Sequence, residues 1–174
     1  MPVYRFEDRT PEIAPSAWVF PEAVLIGRVI VGENVYIGAG AILRGDYGSI
    51  IIGDGSAIEE GAIVHARPND ETVFGRRVTV GHGAMIHNAA IEDEAVLGMR
   101  CTVTDYAKVG EWAIVGEGAL VRSRQEIPAG KIAVGVPAKV IGDVEEKHRT
   151  IWTMAKELYI NLAERYPKGL EKIG

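Results

Sequence analysis

The chain has 174 residues, with 19 Lys and Arg against 24 Asp and Glu, a net charge of −5. That balance, without any Lys/Arg run, excludes the basic surface that a nucleic-acid or anionic-membrane partner needs. Apolar residues make up 47 % of the chain, enough for a core, which excludes wholesale disorder.

The segment from Met1 to Ser16 carries charges and prolines where a signal peptide needs an apolar stretch. No apolar run approaches the ~18–20 residues of a membrane-spanning helix. The single cysteine, Cys101, forbids an intrachain disulfide and fits a reducing compartment. The expectation is a cytoplasmic protein of one domain over 1–174. Glycine is abundant: 21 of 174 residues, about 12 % against a usual ~7 %.

A period of six begins early. Ile13, Val19, Leu25, Val31, Ile37 and Leu43 fall on one frame. After a slip of three, Ile52, Ile58 and Val64 continue it. A break follows, then Val80 and Ile86. A five-residue step leads to Ile91, Leu97, Val103, Val109, Val115, Val121, Ile127 and Ala133. Of these 19 positions, 18 are Val, Ile or Leu. Two residues before the frame position, Ala occurs ten times; one residue after it, Gly occurs seven times. A helix would repeat at 3.6 residues and a plain strand at two. Period six predicts short strands meeting at corners, three to a coil, as in hexapeptide β-helices. The bulky residue fills the interior, and glycine suits the backbone angles of a corner. One hexad inside the break gives about 20 hexads, or six to seven coils over about 11–141. At ~4.8 Å per coil the prism is about 30 Å long.

Gly135-Val136-Pro137-Ala138-Lys139 ends the period. A helix is expected over about 143–166, with Asp143 as N-cap and Pro167 and Gly169 ending it. Ile151, Trp152, Ala155, Leu158, Tyr159, Leu162 and Tyr166 form one apolar stripe, packed on the prism of the same or a neighbouring chain.

Four histidines punctuate the chain. His148 lies on the helix and reads as a surface or packing residue. His65 and His87 each follow a frame residue, so both sit at outward corners. With one hexad in the break they are a full coil apart and stack on one edge. Arg44 lies one coil below on the same edge. His82 falls beside a different corner and cannot reach the other two within one prism. In a threefold trimer, His82 of one chain meets His65 and His87 of the next. Three imidazoles with an open fourth position are the ligand set of a catalytic zinc. Any one of the three alone reads as a surface histidine. Three at repeat-determined corners, beside Arg44 and Asp46, favour the metal site.

These residues bear a family likeness. LRGD (43–46), IGDGSAIEEGAIVHA (52–66) and VGHGAMIHNA (80–89) resemble the γ-class carbonic anhydrases and their short relatives. Some of those relatives are known as ferripyochelin-binding, phenylacetate-operon or carnitine-operon proteins. The resemblance runs from about Ile13 into the C-terminal helix. It implies an all-β left-handed parallel β-helix with a C-terminal α-helix, a homotrimer, and one metal per subunit interface. It implies His65 and His87 from one subunit and His82 from the neighbour as ligands. It gives Arg44 and Asp46 a pairing across the interface that orders metal-bound solvent. The family's Asn-Ile-Gln-Asp is replaced here by Ala57-Ile58-Glu59-Glu60, so Glu59 stands in a glutamine's place. A carboxylate there accepts from metal-bound water or acts as a base, and repels bicarbonate. The family's long acidic loop is short here, with only Asp70 and Glu71 as proton carriers.

The activity implied is reversible hydration of CO2 to bicarbonate on Zn2+, which brings bound water toward a pKa of ~7. Fe2+ or Co2+ suits the same ligands. The alternatives are an acyl-CoA thioesterase on the same metal site, and a CoA-dependent acyltransferase or a non-catalytic scaffold on the same fold. Tyr159 reads as helix packing rather than pocket lining.

Overall fold

A computed structural model describes residues 2–174. The chain winds as a parallel β-helix and ends in one α-helix, Glu146–Gly169. Neighbouring coils pair in parallel, with a register shift between Gly27 and Val29, and the pairing sorts the repeat into three columns. Leu25, Leu43, Val64, Ile86, Val103 and Val121 stack on the first face. Ile13, Val31, Ile52, Phe74, Ile91, Val109 and Ile127 stack on the second. Val19, Ile37, Ile58, Val80, Leu97, Val115 and Ala133 stack on the third. Phe74, on the strand Glu71–Phe74, is the hexad expected inside the break. All of these except Ile13 are buried. Burying an aliphatic side chain of this size contributes ~1.5–3 kcal/mol. Ala23, Ala41, Ala62, Ala84, Cys101 and Ala119, two positions earlier, are buried beside the first column.

The corner glycines have a different cause from the one the repeat implies. Those directly after a frame residue do not take left-handed angles. They admit the next coil: a Cβ on Gly110 would stand 2.5 Å from the Ala129 amide nitrogen. Positive φ instead falls three residues after the frame residue, at 13 corners, as at Gly118 (φ 64) and Arg100 (φ 56). The post-frame glycines occupy only two of the three edges. On the third edge those positions read Ile26, Arg44, His65, His87, Thr104 and Arg122. That edge is also where the repeat is irregular, with positive φ displaced to Gly27, Asn69 and Asn88.

The C-terminal segment differs from the sequence expectation at its start. Asp143 does not cap the helix. Lys139–Asp143 folds back as an antiparallel strand on Lys131–Val134, which keeps Asp143 extended and pairs its carboxylate with Lys131. The N-cap is Glu145, whose N–H donates to Nδ1 of His148 at 3.0 Å, so His148 is a capping residue. Pro167 lies inside the last turn. The helix covers the third face through Tyr159, Leu162, Ala163 and Tyr166, which pack on Trp18, Tyr36 and Ala57. Trp18 and Tyr166 stack with centroids 5.5 Å apart. Lys156 is fully buried and donates to the Arg77 and Glu94 carbonyls. Burial pulls its pKa down to about 8. Only part of the expected stripe is used this way: Ile151 and Leu158, with Met154, remain exposed. No helix among the described residues is long and apolar enough to cross a membrane.

Because Gly110 is required by contact and Gly118 by φ, asparagine separates them. Asn tolerates the left-handed region, so Gly118→Asn is expected to cost less than ~0.5 kcal/mol. Gly110→Asn must push two coils apart and is expected to cost ~2 kcal/mol or more. Urea denaturation midpoints of the two variants check this, and equal shifts would refute the distinction.

Candidate metal centre

The irregular edge brings four of the sequence-predicted residues together, Arg44, Asp46, His65 and His87. Arg44 lies beside His65, and His65 beside His87, on consecutive coils. The two imidazole centroids are 5.0 Å apart, and His65 Nδ1 lies 3.0 Å from His87 Nε2. Each ring turns its other nitrogen to a carboxylate. His65 Nε2 is 3.3 Å from Asp46 Oδ1, and His87 Nδ1 is 2.5 Å from Asp105 Oδ1. Each carboxylate is in turn held by an arginine. Arg44 reaches Asp46 at 2.7 Å, and Arg67 reaches Asp105 at 2.6 Å. The Arg44–Asp46 pair forms within one chain.

The carboxylates bear on where the ring protons sit. Partial burial raises the Asp46 carboxyl, but Arg44, the Tyr47 amide and His65 outweigh it and hold the group below the usual carboxylate range. The Arg67 hydrogen bond brings Asp105 down to about 2, with His87 adding to the effect. Burial, and then the Arg44 charge, lowers the pKa of His65. Two ionised carboxylates accept, so the rings donate from His65 Nε2 and His87 Nδ1. The remaining nitrogens, His65 Nδ1 and His87 Nε2, then face each other across 3.0 Å, and with both rings neutral they are two acceptors. Two lone pairs at that distance repel unless a proton or a metal cation lies between them. On a tetrahedral Zn2+ with ~2.05 Å bonds, two ligand nitrogens stand about 3.3 Å apart. A histidine whose second nitrogen donates to a carboxylate is also the usual outer arrangement of a metal ligand. His65 and His87 therefore fit a metal.

His82 is not brought to them. It lies on the edge after the third face, with Nε2 3.0 Å from Glu59 and Nδ1 2.7 Å from Glu60. Among the described residues of one chain, no three His, Cys, Asp or Glu side chains form a group that could hold a metal. Glu59 is nearly buried and accepts from the His82 amide at 3.1 Å. Burial raises its pKa, while His82 and Tyr159 oppose the rise. Tyr159, read from sequence as packing, does both. Its ring packs on Tyr36 and it lines a groove with Glu59, with burial the main cause of its raised pKa. Glu59, His82, Thr79, Met99, Trp152 and Tyr159 line a groove of about 250 Å³ beneath the helix. The Thr79 hydroxyl there has no partner among the described residues.

Sequence reasoning missed Asp105, Arg67, Glu60 and the buried support beneath the edge. Asn88, 2 % exposed, forms that support. It accepts from the Arg67 amide at 2.9 Å and donates to Asp70 at 2.9 Å. Its own amide donates to Thr72 Oγ1, which donates to the His65 carbonyl at 2.7 Å. Asp70, an expected proton carrier, is thus a structural acceptor, and Asn88 with the Glu71 amide depresses its pKa.

Known proteins share this architecture. Residues 10–45 match the family model described as bacterial transferase hexapeptide (six repeats). The carnitine operon protein CaiE of Salmonella agona is 37 % identical over 172 residues, covering 99 % of this chain and 87 % of that protein. A Bacillus cereus structure, provisionally described as an acetyltransferase, superposes with a TM-score of 0.92 at 32 % identity. It covers 94 % of this chain and 95 % of its own. A hexapeptide transferase family protein of Anaplasma phagocytophilum gives 0.91 at 29 %, covering 95 % and 98 %. By that similarity over nearly its whole length, the chain belongs to the hexapeptide-repeat family of CaiE.

Asn88→Ala removes several buried hydrogen bonds and places alanine at φ 52. It is expected to cost ~2–4 kcal/mol of unfolding free energy. A loss below ~0.5 kcal/mol in urea unfolding would show that Asn88 does not support the edge.

Proposed function

We propose that His65 and His87, with His82 of a neighbouring copy in a homotrimer, hold one divalent cation, and that the site hydrates CO2 reversibly. The observation that carries this reading is the pair of facing imidazole nitrogens 3.0 Å apart, each ring backed by a carboxylate and an arginine. A bound Zn2+, or Fe2+ or Co2+ on the same donors, brings coordinated water from a pKa of ~15.7 toward ~7 and supplies a nucleophile at neutral pH. The chain's own groups do the rest. Asp46 and Asp105 keep the two donor nitrogens free of protons. Arg44 holds Asp46 and carries positive charge at the mouth, where bicarbonate forms. Glu59, buried beside His82, accepts a hydrogen bond or takes a proton, and the His82 amide donates to its carboxylate.

The exposed apolar row beside the edge supports the assembly. Ile42, Ile63 and Met85 stand on consecutive coils, each immediately before a residue of the first column, and are 38–46 % exposed. Their burial against another copy would account for this exposed apolar row.

A second reading, transfer of an acyl group from coenzyme A, has the stronger support from the relatives. The matched repeat is that of bacterial transferases, and the Bacillus cereus neighbour is described in acetyltransferase terms. His82 between Glu59 and Glu60 is a suitable general base for it. That chemistry needs an acceptor and no cation. Hydrolysis of an acyl-CoA would use the cation but no acceptor.

One set of assays separates them. CO2 hydration is followed by stopped-flow, and CoA release from acetyl-CoA with and without amine acceptors. Each is run on protein stripped with chelator and on protein refilled with zinc. The hydration reading expects a loss of roughly 10²-fold or more on stripping, restored by zinc. CoA release that requires an acceptor and survives stripping would replace it with the transferase.

A further inference from the structure

We propose that Asp105, clamped by Arg67, is a positioning residue that sets the tautomer and ring angle of His87, and so prepares one of the three ligands of the cation site. This inference rests on the metal reading of the edge for its purpose but not for its geometry. His87 is 34 % exposed at its side chain and stands on a corner, where an imidazole has two ring orientations and two tautomers available. His65 on the adjacent coil meets Nε2 but is itself free to donate or accept, so it does not choose among them. Asp105 does. Its Oδ1 lies 2.5 Å from His87 Nδ1, which places the proton on Nδ1 and leaves Nε2 as the free acceptor facing His65. A ring turned over, or protonated at Nε2, would offer a proton instead of a lone pair.

Asp105 is itself held on both sides. Its Oδ2 accepts from Arg67 Nη2 at 2.6 Å. Its carbonyl accepts from the Arg124 amide at 2.9 Å, and the next residue, Tyr106, donates from its amide to Asn88 at 2.6 Å. Arg67 is fixed in turn, because its amide donates to the Asn88 side chain. The edge thus carries two similar relays: Arg44–Asp46–His65 and Arg67–Asp105–His87. They use opposite nitrogens, since Asp46 binds Nε2 of His65 and Asp105 binds Nδ1 of His87. That opposition turns both free nitrogens to the same point.

Asp105→Asn and Arg67→Gln test the assignment, each purified as the full chain. Zinc affinity is measured by chelator competition, imidazole tautomers by 15N NMR of the zinc-free protein, and thermal stability of the zinc-free protein alongside. In the native protein His87 is expected to be protonated at Nδ1. Asp105→Asn is expected to weaken zinc binding about 10–100-fold and to disturb the His87 tautomer, with the melting temperature nearly unchanged. Arg67→Gln, which loosens the clamp but leaves the carboxylate, is expected to fall between the two. Unchanged zinc affinity in Asp105→Asn, or a native His87 protonated at Nε2, would overturn the proposal. If the native protein takes up no zinc yet shows His87 as assigned, Asp105 keeps its positioning role and the metal reading fails instead.

Discussion

Everything in this chain depends on stacking parallel coils at one strand spacing. Each coil hydrogen-bonds the next, so residues some eighteen positions apart in sequence stand ~4.8 Å apart in space. Sequence distance becomes contact along three columns, and a side chain can occupy a corner only where the next coil leaves room. Two edges leave almost none, which is why glycine holds them, as at Gly110. The third edge carries Arg44, His65 and His87 in consecutive coils. Departures from the repeat cluster there, and they make the space the side chains use.

That geometry also decides the electrostatics. Stacked histidines on adjacent coils must point their ring nitrogens at something, and on this edge each points one at an aspartate. The aspartates remain ionised because arginines hold them, and the nitrogens they leave free face each other at 3.0 Å. A pair arranged this way favours a cation over an empty gap. The same stacking puts Ile42, Ile63 and Met85 outward in a row next to the edge, and leaves Ile151, Met154 and Leu158 exposed on the helix. His82, Glu59 and Tyr159 lie around another corner. Within one chain the parts of the site are separate.

The columns were legible because a buried aliphatic every six residues leaves a strong trace, and the stacking of Arg44, His65 and His87 followed from counting hexads. The contacts one step beyond the frame were not. Arg44 to His65 is 21 residues, His65 to His87 is 22, and His87 to Asp105 is 18. Unequal coils hide such a partner unless the excursion at 66–73 and the short step at Asn88 are already placed. Asp143 misled for a similar reason: local capping chemistry was present, but pairing with Lys131–Val134 took that residue into a strand. Tyr159 sits at helical spacing with the packing residues, and nothing in the spacing separates groove lining from packing.

The central claim is that the three histidines form one site only between copies of the chain. His65→Ala and His82→Ala proteins are each dissociated, mixed and reassembled, and metal per chain is measured. Alone, each variant repeats its defect at every interface and binds none. In a mixed trimer one interface joins intact His65 and His87 to an intact His82, so the account predicts one restored metal in three sites. No restored metal in trimers shown to contain both variants would contradict it.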